Sequence, residues 1–223
     1  MVNFETARVK MVESQIRATD VTSHPVISAF LSVPREAFIA AESAALAYID
    51  EDIQVTAPSA GAPARYLMEA SPLAKLLQLL EVTKSDVVMV VGSCEGYATA
   101  ILSLLANSVV AVESDEALAS SSSEKLTELG YDNAAVVCAP LEEGYAPEAP
   151  YDAIFINGAV EYIPEAILSQ LRDGGRLVAV VGYGHAARAK LYRRDGESFS
   201  EFASFNAAVK PLPGFSKARA FEF

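Results

Sequence analysis

A chain of 223 residues with 52% hydrophobic and 21% charged residues is long enough for one large α/β domain with an accessory segment, and it can bury a full core. Its formal net charge of −12 repels phosphate backbones and anionic lipid, which argues against nucleic-acid and membrane-surface partners and in favour of small molecules or proteins. Despite a mean hydropathy of +0.25, no apolar stretch reaches the roughly 18 residues a membrane-spanning helix needs, and two cysteines make neither a disulfide framework nor a metal-ligand cluster.

The opening MVNFETARVKMVES is charged throughout and lacks an apolar segment, so no signal peptide or lipid anchor is expected and the cytoplasm is the expected compartment. Phe4, Ala7, Met11 and Ile16 recur near helical spacing, with Arg8, Lys10, Glu13 and Arg17 on the other face, which predicts an amphipathic helix over the first twenty residues. Thr22-Ser23-His24-Pro25 offers capping hydroxyls before a first-turn proline, and Val26, Ile27, Phe30 and Leu31 form the buried stripe of a second helix that ends before Pro34. His24 has no partner at metal-ligand spacing and is read as a capping or surface residue. The AESAALAY stretch is again helical and leads to Asp50-Glu51-Asp52.

Residues 53–66, rich in Ala, Pro and Gly, predict an irregular crossing segment, either a linker or a lid. Residues 1–66 are therefore expected to be helices and a crossing loop packed on a main domain of residues 67–223. Helical patterning returns from Leu67 to Leu80, with Leu73, Leu76, Leu77 and Leu80 on one stripe.

The run Val87 to Val91 is β-branched at four of five positions and stops at Gly92, which predicts a central strand buried on both faces. The turn Gly92-Ser93-Cys94-Glu95-Gly96 follows, then a helix from Tyr97 to Ala106 and a second strand, Val109 to Val112, closed by Glu113. Strand, glycine turn, helix, strand and acid, in that order, suit a nucleotide-like ligand over the helix N-terminus with a carboxylate for its ribose hydroxyls. A dinucleotide fingerprint would need glycine at 94 and 97, where Cys94 and Tyr97 stand; a GxGxG methyltransferase turn fails only at Cys94.

Residues 114–130 read as a helix whose serines, Ser120 to Ser123, form a solvated face. Strands are expected at Ala134–Cys138 and Tyr151–Ile156. Helix Pro164–Leu171, a turn at Asp173-Gly174-Gly175 and strand Leu177–Val181 come next. Such alternation implies parallel pairing with right-handed crossovers. Cys94 and Cys138 then lie two strand spacings, about 9–10 Å, apart and should not pair. Arg194-Asp195-Gly196-Glu197 signals a hairpin between Ala189–Arg193 and Ser198–Phe202, and Ala218–Phe223 is a candidate terminal edge strand.

Several stretches together resemble the protein-L-isoaspartate O-methyltransferase family. MVESQIRATDVT resembles its amino-terminal helix with Gln-Ile-Arg, and VPREAF its Val-Pro-Arg-x-x-Phe. GYDNAAVV, APYDAIFINGAVEYIPEAILSQL and DGGRLVAVVG follow its later motifs in order, so that the likeness covers residues 8 to about 182. The resemblance implies an α/β fold: a doubly wound, mostly parallel seven-stranded Rossmann-like sheet ending in an antiparallel hairpin. It also implies S-adenosylmethionine as methyl donor, S-adenosylhomocysteine as its product, and isoaspartyl carboxylates of damaged proteins as acceptors, hence protein repair.

Carried over by position, the donor-binding residues are Gly92, Ser93, Cys94, Gly96 and Tyr97 on the turn, Glu113 and Ser114 beside the ribose, Pro140 and Leu141 near adenine, and Asn157. No catalytic residue and no metal ligand is assigned. The family's acid in the central strand is Val90 here and its middle glycine is Cys94, and both changes weaken donor binding. Pro140 stands where the family has an aspartate that Glu142 or Glu143 could replace. Met68 aligns with the acceptor-site serine, with Ser59 and Ser71 out of register. Three readings stay open. The first is a methyltransferase acting on a protein or peptide carboxylate, isoaspartyl or changed, and the second is a non-catalytic relative that keeps the fold as a binding protein. A different nucleotide-binding α/β enzyme is a third. The sequence leaves the oligomeric state undetermined.

Overall fold

A computed structural model describes residues 3–58 and 63–216. The candidate strand at 218–223 and Ser59 lie outside the described residues. Helix α1 (Phe4–Met11) starts at Asn3, whose side chain accepts from the Thr6 N–H at 3.0 Å, and runs on through one π turn (Val12–Ile16) and a 3-10 turn (Arg17–Thr19). Helix α2 (His24–Ser32) stops at Val33, ahead of Pro34, as the sequence suggested. The expected hydroxyl cap is not made. The Gln78 side-chain carbonyl instead accepts from the Thr22 and Ser23 N–H groups at 2.7 and 2.9 Å, which ties α2 to the following layer. The AESAALAY stretch is a 3-10 turn, Ala41–Leu46, rather than an α-helix.

The crossing segment is more ordered than its composition suggested. Strands β1 (Ile53–Thr56) and β2 (Arg65–Leu67) pair antiparallel, with Ile53 opposite Leu67, both buried, and a register shift between Gln54 and Thr56. After β2 come α3 (Ala70–Leu80), β3 (Val87–Val91), α4 (Tyr97–Ser103), β4 (Ser108–Glu113), α5 (Glu116–Glu128), β5 (Ala134–Cys138), β6 (Tyr151–Val160), α6 (Glu165–Leu168) and β7 (Leu171–Val181). Strands β8 (Arg188–Asp195) and β9 (Ser198–Asn206) form the hairpin that Arg-Asp-Gly-Glu announces. The Asp173-Gly174-Gly175 turn belongs to β7 itself, which starts earlier than expected.

The main sheet has the order β5-β4-β3-β6-β7-β8-β9, parallel through β7 and antiparallel in the last two strands. This is the expected doubly wound α/β architecture with its terminal hairpin. Strand pleating sends alternate residues of β3 to opposite faces. Val88 and Val90 join a core with Val12, Phe30, Phe38, Leu77 and Ile101, so the amino-terminal helices and the sheet share one apolar cluster. Met89 and Val91 face the other side, with Ile154, Ile156, Leu212 and Phe215. Because β3 pairs with β4 on one edge and β6 on the other, the chain reverses its winding there, and a crevice opens past the carboxyl ends of β3 and β6. Among the described residues no helix is long and apolar enough to cross a membrane, and no group of His, Cys, Asp and Glu could hold a metal. Cys94 is buried and Cys138 exposed, both free thiols.

Candidate active site

The turn after β3 is built by backbone conformations that glycine favours. Gly92 has φ +85° and Gly96 φ +95°, and the N–H groups of Gly92 and Ser93 donate to the Val112 carbonyl at 2.9 and 3.1 Å, locking the turn to β4. A Cβ on Gly96 would lie 2.7 Å from the Ser122 hydroxyl. Ser122 is wholly buried, 3.0 Å from the Ser93 hydroxyl, which is itself 3.1 Å from that of Thr99. Ser121 donates to Glu95 at 2.8 Å, and Lys125 pairs with the same carboxylate. The serine run therefore buttresses the turn from α5 as well as meeting solvent, which corrects its reading as a solvated face; Ser120 and Ser123 alone are exposed.

Glu113 closes β4 with a fully buried side chain. Its Oε1 accepts from the N–H groups of Ser114 and Asp115 at 2.8 and 3.2 Å, and its Oε2 from that of Cys94 at 2.8 Å. Arg65, the first residue of β2, lays its guanidinium against the same carboxylate as a fork, Nη1 to Oε1 at 2.5 Å and Nη2 to Oε2 at 2.8 Å. Burial alone would lower the Arg65 pKa, but the hydrogen bonds and charge of Glu113 raise it above its usual value. On the far side of the crevice, Asn157 donates from Nδ2 to the Gly92 carbonyl at 2.9 Å, and its Oδ1 is buried with no partner among the described residues.

The segment after β9 returns over this crevice. Ala159 N–H donates to the Lys210 carbonyl and Leu212 N–H to the Ala159 carbonyl, each at 2.9 Å. The Leu212 side chain sits 2.8 Å from where a Cβ on Gly92 would be and 2.7 Å from that of Gly158, a seat that requires both glycines. Beside Glu113 a cavity of about 480 Å³ remains, lined by Ser114, Cys138, Ala139, Pro140, Glu142, Pro213 and Gly214.

The structure thus gathers Gly92, Ser93, Cys94, Gly96, Glu113, Ser114, Pro140 and Asn157 around one crevice. It does not bring Tyr97 there. The Tyr97 ring is wholly buried on the other side of the turn, 6.1 Å from Phe30 and 5.7 Å from Phe38, with the Arg35 guanidinium 4.8 Å from its centroid. As the first residue of α4 it projects into the core beneath the amino-terminal helices, and Val-Pro-Arg-x-x-Phe supplies its cradle. Leu141 is likewise a core residue, 1% exposed and packed with Met89 and Val91 rather than lining the cavity. Of the two candidate substitutes for the missing acid, Glu142 lines the cavity, while Glu143 is exposed and offers its carbonyl to Gln170.

Cys94 is 2% exposed, and burial pushes its thiol up to about 12. Val90 lies in the apolar core and contributes nothing polar. Met68 is buried, its carbonyl accepting from Arg35 at 2.7 Å, and the Ser71 hydroxyl donates to Thr19 at 3.1 Å. Next to Met68, burial and then the neighbouring Asp50 and Asp52 raise Glu69 to about 7. Sequence reasoning missed Arg65 and Leu212; neither sits in a motif, and each reaches the crevice from a separate part of the chain.

The frame suits a nucleoside: a carboxylate at a strand end, an unpartnered amide oxygen, a glycine turn and a cavity beside them. Arg65 and Leu212 occupy two of its contact points.

Known proteins resemble the chain over nearly its whole length. The model of the protein-L-isoaspartate(D-aspartate) O-methyltransferase family matches residues 6–209. A Shewanella sediminis protein named protein-L-isoaspartate O-methyltransferase 2 is 34% identical over 209 residues, covering 93% of this chain and 83% of that one. A Koribacter versatilis protein named protein-L-isoaspartate O-methyltransferase is 31% identical over 222 residues, covering 98% and 97%. Among solved structures, one titled protein-L-isoaspartate O-methyltransferase superposes with a TM-score of 0.81 at 23% identity, over 93% of this chain and 66% of that one. A Plasmodium falciparum protein solved with S-adenosyl-L-homocysteine gives 0.77 at 18% identity, over 95% and 99%.

Proposed function

The chain belongs to the protein-L-isoaspartate O-methyltransferase family, and on that premise we propose that it transfers a methyl group from S-adenosylmethionine to a carboxylate of a protein or peptide, the isoaspartyl group of a damaged protein being the favoured acceptor. The observation that carries the site assignment is the juxtaposition at the winding reversal of the sheet: the Gly92 to Gly96 turn, Glu113, and the cavity from Ser114 to Pro140. When bound, S-adenosylmethionine supplies a methyl carbon made electrophilic by its sulfonium.

The chain's own residues do the rest. Glu113 would hold the ribose hydroxyls, the cavity lined by Ala139, Pro140 and Pro213 would take the adenine with Glu142 at its edge, and Asn157 Oδ1 would accept from the ammonium of the amino-acid end. A carboxylate acceptor is already a nucleophile and needs no general base. Alignment of its oxygen with the methyl carbon and the sulfur would supply much of the rate. With Met68 buried at the position aligned with the family's serine, that position offers the acceptor no hydroxyl. The protein works in the cytoplasm, and its net charge of −12 keeps nucleic acids and anionic membranes away.

Titration calorimetry with S-adenosylhomocysteine, followed by transfer of labelled methyl to an isoaspartyl peptide and its aspartyl control, tests this. Saturable binding with base-labile label on the isoaspartyl peptide alone is expected. Donor binding without label on either peptide would overturn the repair assignment, and absence of binding at millimolar ligand would overturn methyl transfer by the wild-type protein.

A further inference from the structure

The fork between Arg65 and Glu113 has no part in the reaction above, yet it occupies the carboxylate on which that reaction's donor would be held. A carboxylate offers about four lone-pair sites. Glu113 already accepts from five donors: the N–H groups of Cys94, Ser114 and Asp115, and two from Arg65. No acceptor position is left for a ribose. Arg65 Nη2 also stands 3.6 Å from the Cβ position of Gly92, the glycine that Leu212 covers. The crevice is thus filled from two sides by the chain itself.

Removing the guanidinium takes away the countercharge of the buried Glu113 but leaves the carboxylate its three backbone N–H donors. Releasing the side chain does not require unpairing β2, whose Arg65 N–H is kept by the Thr56 hydroxyl at 3.0 Å. The geometry points to an internal competitor: Arg65, seconded by Leu212, holds the donor's place on Glu113 and Gly92, so that donor binding and the Arg65–Glu113 fork exclude one another. Arg65 is then the residue that sets donor affinity, by competition rather than by contact. The inference rests on the donor site proposed above.

Calorimetric titration of S-adenosylhomocysteine into the wild type, Arg65→Ala and Arg65→Met tests it, Met keeping most of the packing of the arginine stem. Both variants are expected to bind at least tenfold more tightly than the wild type, and Leu212→Ala to bind more tightly as well. As a readout on the wild type that needs no variant, the Arg65 guanidinium protons, followed by nitrogen-edited NMR, should exchange slowly and lose that protection when S-adenosylhomocysteine saturates the protein. Wild-type binding with equal or weaker affinity in both Arg65 variants, or protection that survives saturation, would overturn the competitor while leaving the donor site standing. No binding by any of the four proteins at millimolar ligand would overturn both.

Discussion

Cys94 holds the left-handed backbone region at φ +54°, a conformation that costs an L residue about 1–2 kcal/mol, and does so while buried. Burial, opposed only in part by the charge of Arg65, pushes its thiol up to about 12. Thiolate is the reactive form, so at pH 8 a thiol reagent should modify one cysteine of the native protein, the exposed Cys138, and both in denaturant. Two fast equivalents from the native protein would show that the turn opens. At this scale the sequence displayed what is local. Gly92, Gly96 and Glu113 stand at fixed offsets from a strand end, and offsets survive as pattern. Arg65 and Leu212 were illegible because their partner lies 48 residues away in one case and, in the other, is a glycine with no side chain to hint at a neighbour. Tyr97 was misplaced for a related reason: adjacency to the turn in sequence says nothing about which side of the turn a helix's first side chain takes.

Helix α5 and the turn before α4 form one unit, since Ser122 occupies the space a side chain at position 96 would need. Gly96→Ala combines a strained φ with a 2.7 Å approach to that hydroxyl, so a loss of about 1–3 kcal/mol is expected by urea denaturation. Gly96→Ala with Ser122→Ala should recover part of it, the contact, and not the rest, the backbone strain. A midpoint unmoved by Gly96→Ala would show that the turn relaxes freely. The serine run looked solvated because four identical small polar residues carry no periodicity, and only packing decides that Ser122 turns inward. The β1–β2 pairing was hidden in the same way, by an Ala-Pro-Gly stretch between two strands of four and three residues. The β8–β9 hairpin was plain from its Arg-Asp-Gly-Glu turn.

Across the whole molecule, the amino-terminal helices and the sheet bury one apolar cluster, and the Gln78 link to α2 and the Arg65 fork both cross the boundary expected at residue 66. Such a body should unfold as one. With nine tyrosines and no tryptophan, tyrosine emission and far-ultraviolet dichroism are expected to report coincident thermal transitions; two separated ones would show that residues 1–66 melt independently. The global architecture was legible because alternating strands and helices admit few parallel windings, whereas the closing of the crevice depends on contacts between segments that no local pattern links. Leu212 gives that closure a direction in time. During synthesis Gly92 and Glu113 leave the ribosome about a hundred residues before Leu212 does, so the nascent chain passes through an interval with the glycine turn uncovered, and the finished molecule alone carries its own stopper.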